Sequence, residues 1–170
     1  GMTPSDTNGA DTGFEEVAAG ADFHTVDFLA FDSATDEYAN FQFTMPSEWD
    51  RSAIRAKFYY KLTPGTAGSG EKIKFGINGI AVGNDEEMNA TAATFELIED
   101  TSLNSTTKLH VSPVTADFNI TNAQDLDPHD LVMFRIKRDT SVGSDYTNDA
   151  RLLGVALQYQ ERVVAESKWV

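Results

Sequence analysis

The chain has 170 residues, 27 acidic against 13 basic side chains, a net charge of -14 and no cysteine. The charge excludes a nucleic-acid binder and a binder of anionic membranes, since phosphate neutralisation needs clustered Lys and Arg. The missing cysteines exclude disulfides, thiolate zinc sites and cysteine nucleophiles.

Hydrophobic residues make up 41% of the chain, enough for one packed domain. No stretch reads as a signal peptide, and no apolar run reaches spanning length, so membrane insertion is not expected.

Residues 1–21 are rich in Gly, Ala, Thr and Asp. Their composition predicts a flexible N-terminal arm ahead of a domain over 22–162. Phe23 to Phe31 is apolar on both faces, as in a strand covered on both sides or one with a bulge. Ala39, Phe41, Phe43 and Met45 alternate with Asn40, Gln42 and Thr44 until Pro46 ends the ladder. Residues 46–50 fit one helical turn, with Ser47 as its cap.

The clearest strand follows, with Ile54, Ala56, Phe58, Tyr60 and Leu62 on one face and Arg55, Lys57, Tyr59 and Lys61 on the other. Ile73, Phe75 and Ile77 continue inward. At Asn78-Gly79 the phase flips to Ile80 and Val82, which predicts a bulge. Ala93, Phe95 and Leu97 give another strand, and Leu109 with Val111 and Phe118 with Ile120 give two short ones.

Two late strands frame a polar loop over 139–149. Val132, Phe134 and Ile136 alternate with Met133, Arg135 and Lys137; Leu153, Val155, Leu157 and Tyr159 alternate with Gly154, Ala156 and Gln158. Residues 163–170 carry Val163, Val164, Trp169 and Val170, an apolar tail suited to an inter-subunit contact. Eight or nine short strands without helical periodicity predict an all-β fold, an antiparallel, jelly-roll-like β-sandwich, with a closed lipocalin-type barrel as the alternative.

Chemistry is sparse. His24, His110 and His129 are far apart in sequence, and packing or surface roles are commoner than a metal triad. Asp85, Glu86 and Glu87 are calcium candidates, but they lack the spaced Asp pattern of a calcium loop, and a solvated acidic run is the plainer reading. The same holds for Asp139, Asp145 and Asp149. No nucleophile elbow, zincin helix or phosphate loop is present, so no enzyme and no cofactor are expected. Trp49, Tyr59, Tyr60 and Tyr146 are candidates for stacking on sugar rings; against that, Tyr60 fits the core and Trp49 fits a plug at one end of the sandwich.

A resemblance adds to this reading. It rests on the order of Met45-Pro46-Ser47-Glu48-Trp49-Asp50, the strand 54–62, the segment 72–83 with its acidic run, and Leu109-His110-Val111-Ser112-Pro113. The segments 130–139 and 149–159 complete it. This order resembles β-sandwich domains of tailed-bacteriophage and prophage virion proteins, associated with tails or tail fibres. The resemblance implies a non-enzymatic virion structural or host-attachment protein, assembled in the bacterial host cytoplasm. Its implied partners are other virion proteins and itself, as a homotrimer, with a host-surface glycan as a further partner. A carbohydrate-binding module is the alternative, motivated by the aromatic side chains and the loop carboxylates.

Overall fold

The computed structural model describes residues 1–17, 24–63, 71–89, 91–101, 106–123, 130–141, 143 and 145–162. They form ten strands and no α-helix among the described residues. These are β1 (Thr3–Pro4), β2 (Asp11–Val17), β3 (His24–Phe31), β4 (Glu37–Thr44), β5 (Arg55–Leu62), β6 (Ile73–Val82), β7 (Glu96–Asp100), β8 (His110–Val111), β9 (Leu131–Arg138) and β10 (Ala150–Gln158).

Two five-stranded sheets result, ordered β1-β4-β9-β6-β7 and β2-β3-β10-β5-β8, with antiparallel pairing throughout. The fold is the expected all-β sandwich of jelly-roll type.

The alternating residues explain the layers. Ala56, Phe58, Tyr60 and Leu62 of β5 are all buried, as are Ile73, Phe75 and Ile77 of β6 and Val132, Phe134 and Ile136 of β9. The sheets meet at a ring cluster around Phe75, which stacks on Phe58 at 5.0 Å and meets Phe31 and Tyr60 edge-on at 6.1 and 5.3 Å. Fully burying each such ring is worth about 1.5–3 kcal/mol. Gly79 faces this interior, where a Cβ would lie 3.1 Å from Phe134 Cε1. The bare backbone there makes room for the Phe134 ring, which stacks on Phe41 at 4.9 Å and Phe43 at 5.4 Å.

Several expectations need correction. The bulge lies in β10, not at Asn78-Gly79. β6 pairs with β9 without interruption from Phe75 to Val82, so Ile80 faces outward. In β10 the register shifts between Leu152 and Gly154. Ala150 and Leu152 are therefore buried, Leu153 is the extra residue, and Val155 and Leu157 return to the inner face.

β7 also has the opposite phase: Leu97 is outside, and Asp100 is inside because its carboxylate accepts the Tyr60 hydroxyl at 2.8 Å. Burial, and then this bond to Asp100, push the Tyr60 hydroxyl far above the ordinary tyrosine range. In β8 it is His110 that turns inward, stacking on Tyr60 at 5.2 Å, while Leu109 and Val111 are exposed. Beyond β8 the ladder on β5 continues through side chains. Ser112 Oγ and Thr115 Oγ1 accept the Phe58 and Ala56 amides at 3.0 Å each, bracketing Pro113, which has no N–H to give.

The N-terminal stretch is part of the sandwich rather than a flexible arm over residues 1–17. β1 pairs with β4 and β2 with β3, Ala10 is buried, and Met2 packs on the core. Glu15 anchors it further by pairing with Lys61 and Arg151 of the second sheet. The apolar tail 163–170 and His129 lie outside the described residues.

β10 pairs with β3 only through Ala150, Arg151 and Leu152, and beyond the bulge the two strands separate. A cleft of about 620 Å³ opens there between the sheets, lined by Phe28, Leu29, Phe41, Phe43 and Val155 among others.

Arg138 continues the inward phase of Val132, Phe134 and Ile136, and it is wholly buried. Its Nη1 donates to the carbonyls of Phe31 at 3.1 Å and Asn148 at 2.9 Å; its Nη2 donates to Asp145 Oδ2 at 3.1 Å and to the carbonyl of Tyr146. One side chain thereby ties the β9–β10 connection to β3 across the sandwich.

Candidate functional site: the outer groove of the first sheet

The inward alternation of β4, β9 and β6 sends the intervening side chains to the opposite face. Pairing brings them into cross-strand rows. One row is Asn40, Arg135 and Asn78; the next is Gln42, Met133 and Ile80. Neighbouring rows on one face stand about 6.6–6.8 Å apart. At one side of these strands lie Gly1 and Thr3, and at the other Ala92, so that the rows floor a groove of about 690 Å³.

The groove side chains hold much unspent hydrogen-bonding capacity. Asn78 Nδ2 donates to the Ala93 carbonyl at 2.9 Å, which fixes the wall at 92–93. The Asn40 and Gln42 side-chain amides have no protein partner among the described residues. Arg135 is half-buried; its guanidinium lies over the Tyr38 ring at 4.1 Å and donates from Nη2 to Ser5 Oγ at 3.4 Å. Its Nε has no partner. No acid, histidine, serine or lysine is among the lining residues, which are Thr, Asn, Gln, Arg and apolar types.

The row beyond is occupied differently. Tyr38 and Lys137 stand opposite each other, and the Tyr38 ring lies 6.1 Å from Phe95. Lys137 Nζ lies over Phe95 at 5.4 Å and pairs with Asp36 at 3.2 Å and Asp139 at 2.9 Å. Burial alone would raise Asp139, but Lys137, the Ser141 hydroxyl and amide, and Lys74 outweigh it and hold the carboxyl well below the ordinary range. Burial alone would lower Lys137; bonds to Asp139 and Asp36 instead hold it above its usual value.

The sequence candidates lie elsewhere. Trp49 is buried, its indole N–H donating to the Ser52 carbonyl at 3.1 Å, so it plugs an end of the sandwich and offers no stacking face. Tyr146 is buried, its hydroxyl donating to the Thr63 carbonyl at 2.7 Å. Tyr60 is core. Tyr59 is half-buried on the outer face of the other sheet, beside Val111. None of these four lines the groove.

Asp85, Glu86 and Glu87 are exposed, and each turns to a local partner: Asp85 to the Asn84 amide, Glu86 to the Gly83 N–H, and Glu87 to the Asn89 amide. Among the described residues no three acidic or histidine side chains gather as a metal site. Asp139 and Asp145 serve ion pairs with Lys74, Lys137 and Arg138.

Sequence reading placed Asn40, Gln42, Met133 and Arg135 on the wetter faces of their strands. It did not bring the strands together. The signal for the groove was the amide-rich alternation of 40 and 42 opposite an Arg. It becomes a site only when β4 is known to neighbour β9.

No family model matches the chain, and no curated protein matches it by sequence. Solved structures do match. A carbohydrate-binding module of family 28, described as specific for non-crystalline cellulose, superposes with a TM-score of 0.52 at 15% identity, covering 93% of this chain and 87% of that one.

The fold is shared with carbohydrate-binding modules.

The family 22 xylan-binding domain from Paenibacillus barcinonensis gives a TM-score of 0.48 at 14% identity, with coverage of 94% and 98%. A family 61 module in complex with β-1,4-galactotriose gives 0.40 at 7% identity, with coverage of 94% and 87%. The likeness to the family 28 module shows the β-sandwich fold.

Proposed function

We propose that this chain is a non-catalytic glycan-binding module whose site is the outer groove of the first sheet. The observation that carries the reading is the pair of cross-strand rows, Asn40-Arg135-Asn78 and Gln42-Met133-Ile80, in which the Asn40 and Gln42 amides and the Arg135 Nε have no protein partner among the described residues. Sugar hydroxyls both donate and accept, which suits planar amides. The C–H faces of a sugar ring suit a floor of Met133 and Ile80. The family 28 likeness supports the same reading at the level of fold. A groove without acid, histidine or nucleophile suits recognition rather than hydrolysis, which needs paired carboxylates.

The virion resemblance is compatible with this reading. Glycan binding by a particle-surface protein would be host attachment.

A glycan array followed by titration calorimetry tests the proposal. The wild type should bind at least one oligosaccharide class, and Asn40→Ala combined with Gln42→Ala should weaken that binding at least tenfold with the melting temperature unchanged. Binding that survives the double substitution undiminished would move the site off this face.

A further inference from the structure

We infer that the groove selects acidic glycans, and that Arg135 is the residue that receives their uronic-acid carboxylates. The inference rests on the glycan reading of the groove and adds the chemical class of its ligand.

Four cations stand on the outer face of the first sheet in or beside β6 and β9: Lys72, Lys74, Arg135 and Lys137. Three have carboxylate partners. Lys72 pairs with Glu99 at 2.7 Å, Lys74 with Asp139 at 3.2 Å, and Lys137 with Asp36 and Asp139. Arg135 has none among the described residues; it alone of the four cations lines the groove, and no acidic side chain lines the groove with it. The chain carries 27 acidic residues, so a groove without one is notable for its composition. Burying part of an unpaired guanidinium costs free energy that a carboxylate would return.

The geometry suits a planar anion. The Tyr38 ring under the guanidinium at 4.1 Å fixes its plane, and Ser5 Oγ holds one Nη2–H. A guanidinium carries five donors in a rigid fork matched to the two oxygens of a carboxylate. Across the strands, Asn40 and Asn78 flank Arg135 in the same row. A uronic acid there would meet the fork through its carboxylate and the amides through its ring hydroxyls. With a net charge of -14 repelling anions at long range, binding must depend on this local contact rather than on steering.

Calorimetry with oligogalacturonate, its methyl-esterified form and a sulfated galactan, at low and moderate salt, tests the inference. The free acid should bind at least tenfold tighter than the ester and tighter than the sulfated chain. Arg135→Gln should abolish that preference, and Arg135→Lys should keep part of it. Equal binding of acid and ester, or tighter binding of the sulfated chain, would overturn the inference and leave the glycan reading standing. Binding of no acidic and no neutral glycan by a folded wild type would overturn both. Arg135 stands on an outer face away from the core, and an unchanged melting temperature for both variants confirms that the comparison reads binding.

Discussion

Replacing Arg138 with methionine isolates the polar contribution of one side chain, because methionine fills much of the same volume. The substitution strands the carbonyls of Phe31, Tyr146 and Asn148, and leaves the Asp145 carboxylate without its cation. Removing one partner of a buried pair costs about 3–5 kcal/mol, because the other is left uncompensated. For a domain of this size each kcal/mol moves the melting temperature by about 2–4 °C, so Arg138→Met should melt about 6–20 °C lower.

The loss should also depend on pH. Burial holds Asp145 above the ordinary aspartate range, against the pull of Arg138. Without Arg138 it rises further. A carboxyl whose folded pKa exceeds its unfolded value binds more protons in the native state, so its penalty grows as pH rises. The deficit of Arg138→Met should therefore be larger at about pH 8 than at about pH 4, and Asp145→Leu in the same chain should recover part of it. Urea unfolding of the three proteins at both pH values is the assay. A loss below about 1 kcal/mol would refute the reasoning, since even one buried carbonyl left unsatisfied costs about that much. A deficit equal at both pH values would refute the role given to Asp145.

Two further outcomes are expected. Asp139 and Asp36 are both held below the usual aspartate range, Asp139 the more strongly. The stability they supply is complete above the unfolded aspartate value of about 3.9 and is lost as pH falls below it toward their folded values; Asp139→Asn should flatten an acid-unfolding profile followed by circular dichroism in that window, and an unchanged profile would contradict the Lys74–Asp139–Lys137 cluster. Deleting residues 1–10 removes β1 with the burial of Ala10 and Met2; calorimetry should show a melting temperature lower by several degrees, at about 2–4 °C per kcal/mol, whereas an unchanged value would restore the flexible arm expected from composition.

The inward faces of β4, β5, β9 and the start of β6 were legible because each has period two and one apolar set. Legibility failed where polar side chains chose the face. Asp100 and His110 turn inward toward Tyr60, so Leu97 in β7 and Val111 in β8 are sent out, against their hydropathy. Arg138 lies in phase with Val132, Phe134 and Ile136, yet nothing local marks an Arg as buried, since its partners come from β3 and from residues 145–148. The arm misled for another reason: small residues such as Gly13 and Ala10 read as linker, although a strand packed closely against its neighbour favours them. Gly13 has Phe28 so near that a Cβ would lie 2.6 Å from its ring. The groove was half legible. Its residues were seen as wet, but strand order, which sequence alone did not supply, decides that Asn40 and Asn78 flank Arg135.

The short seam between β3 and β10 means that the second sheet is two ribbons joined at one end. Ala150, Arg151 and Leu152 are the only rungs between the β2–β3 hairpin and the β10–β5–β8 ribbon. A hairpin held by so few rungs can open as a unit of its own, at a free energy below that of global unfolding. The amides of β2 and β3 should then lose protection from hydrogen exchange together, and sooner than those shared by β5 and β10, which pair along nearly their whole length. Such a subglobal opening would bare the inner faces of Phe41 and Phe43 while leaving the opposite face of β4, with Asn40 and Gln42, in place. The labile flank would thereby border the groove, since Gly1, Phe41 and Gln42 line both the groove and the cleft.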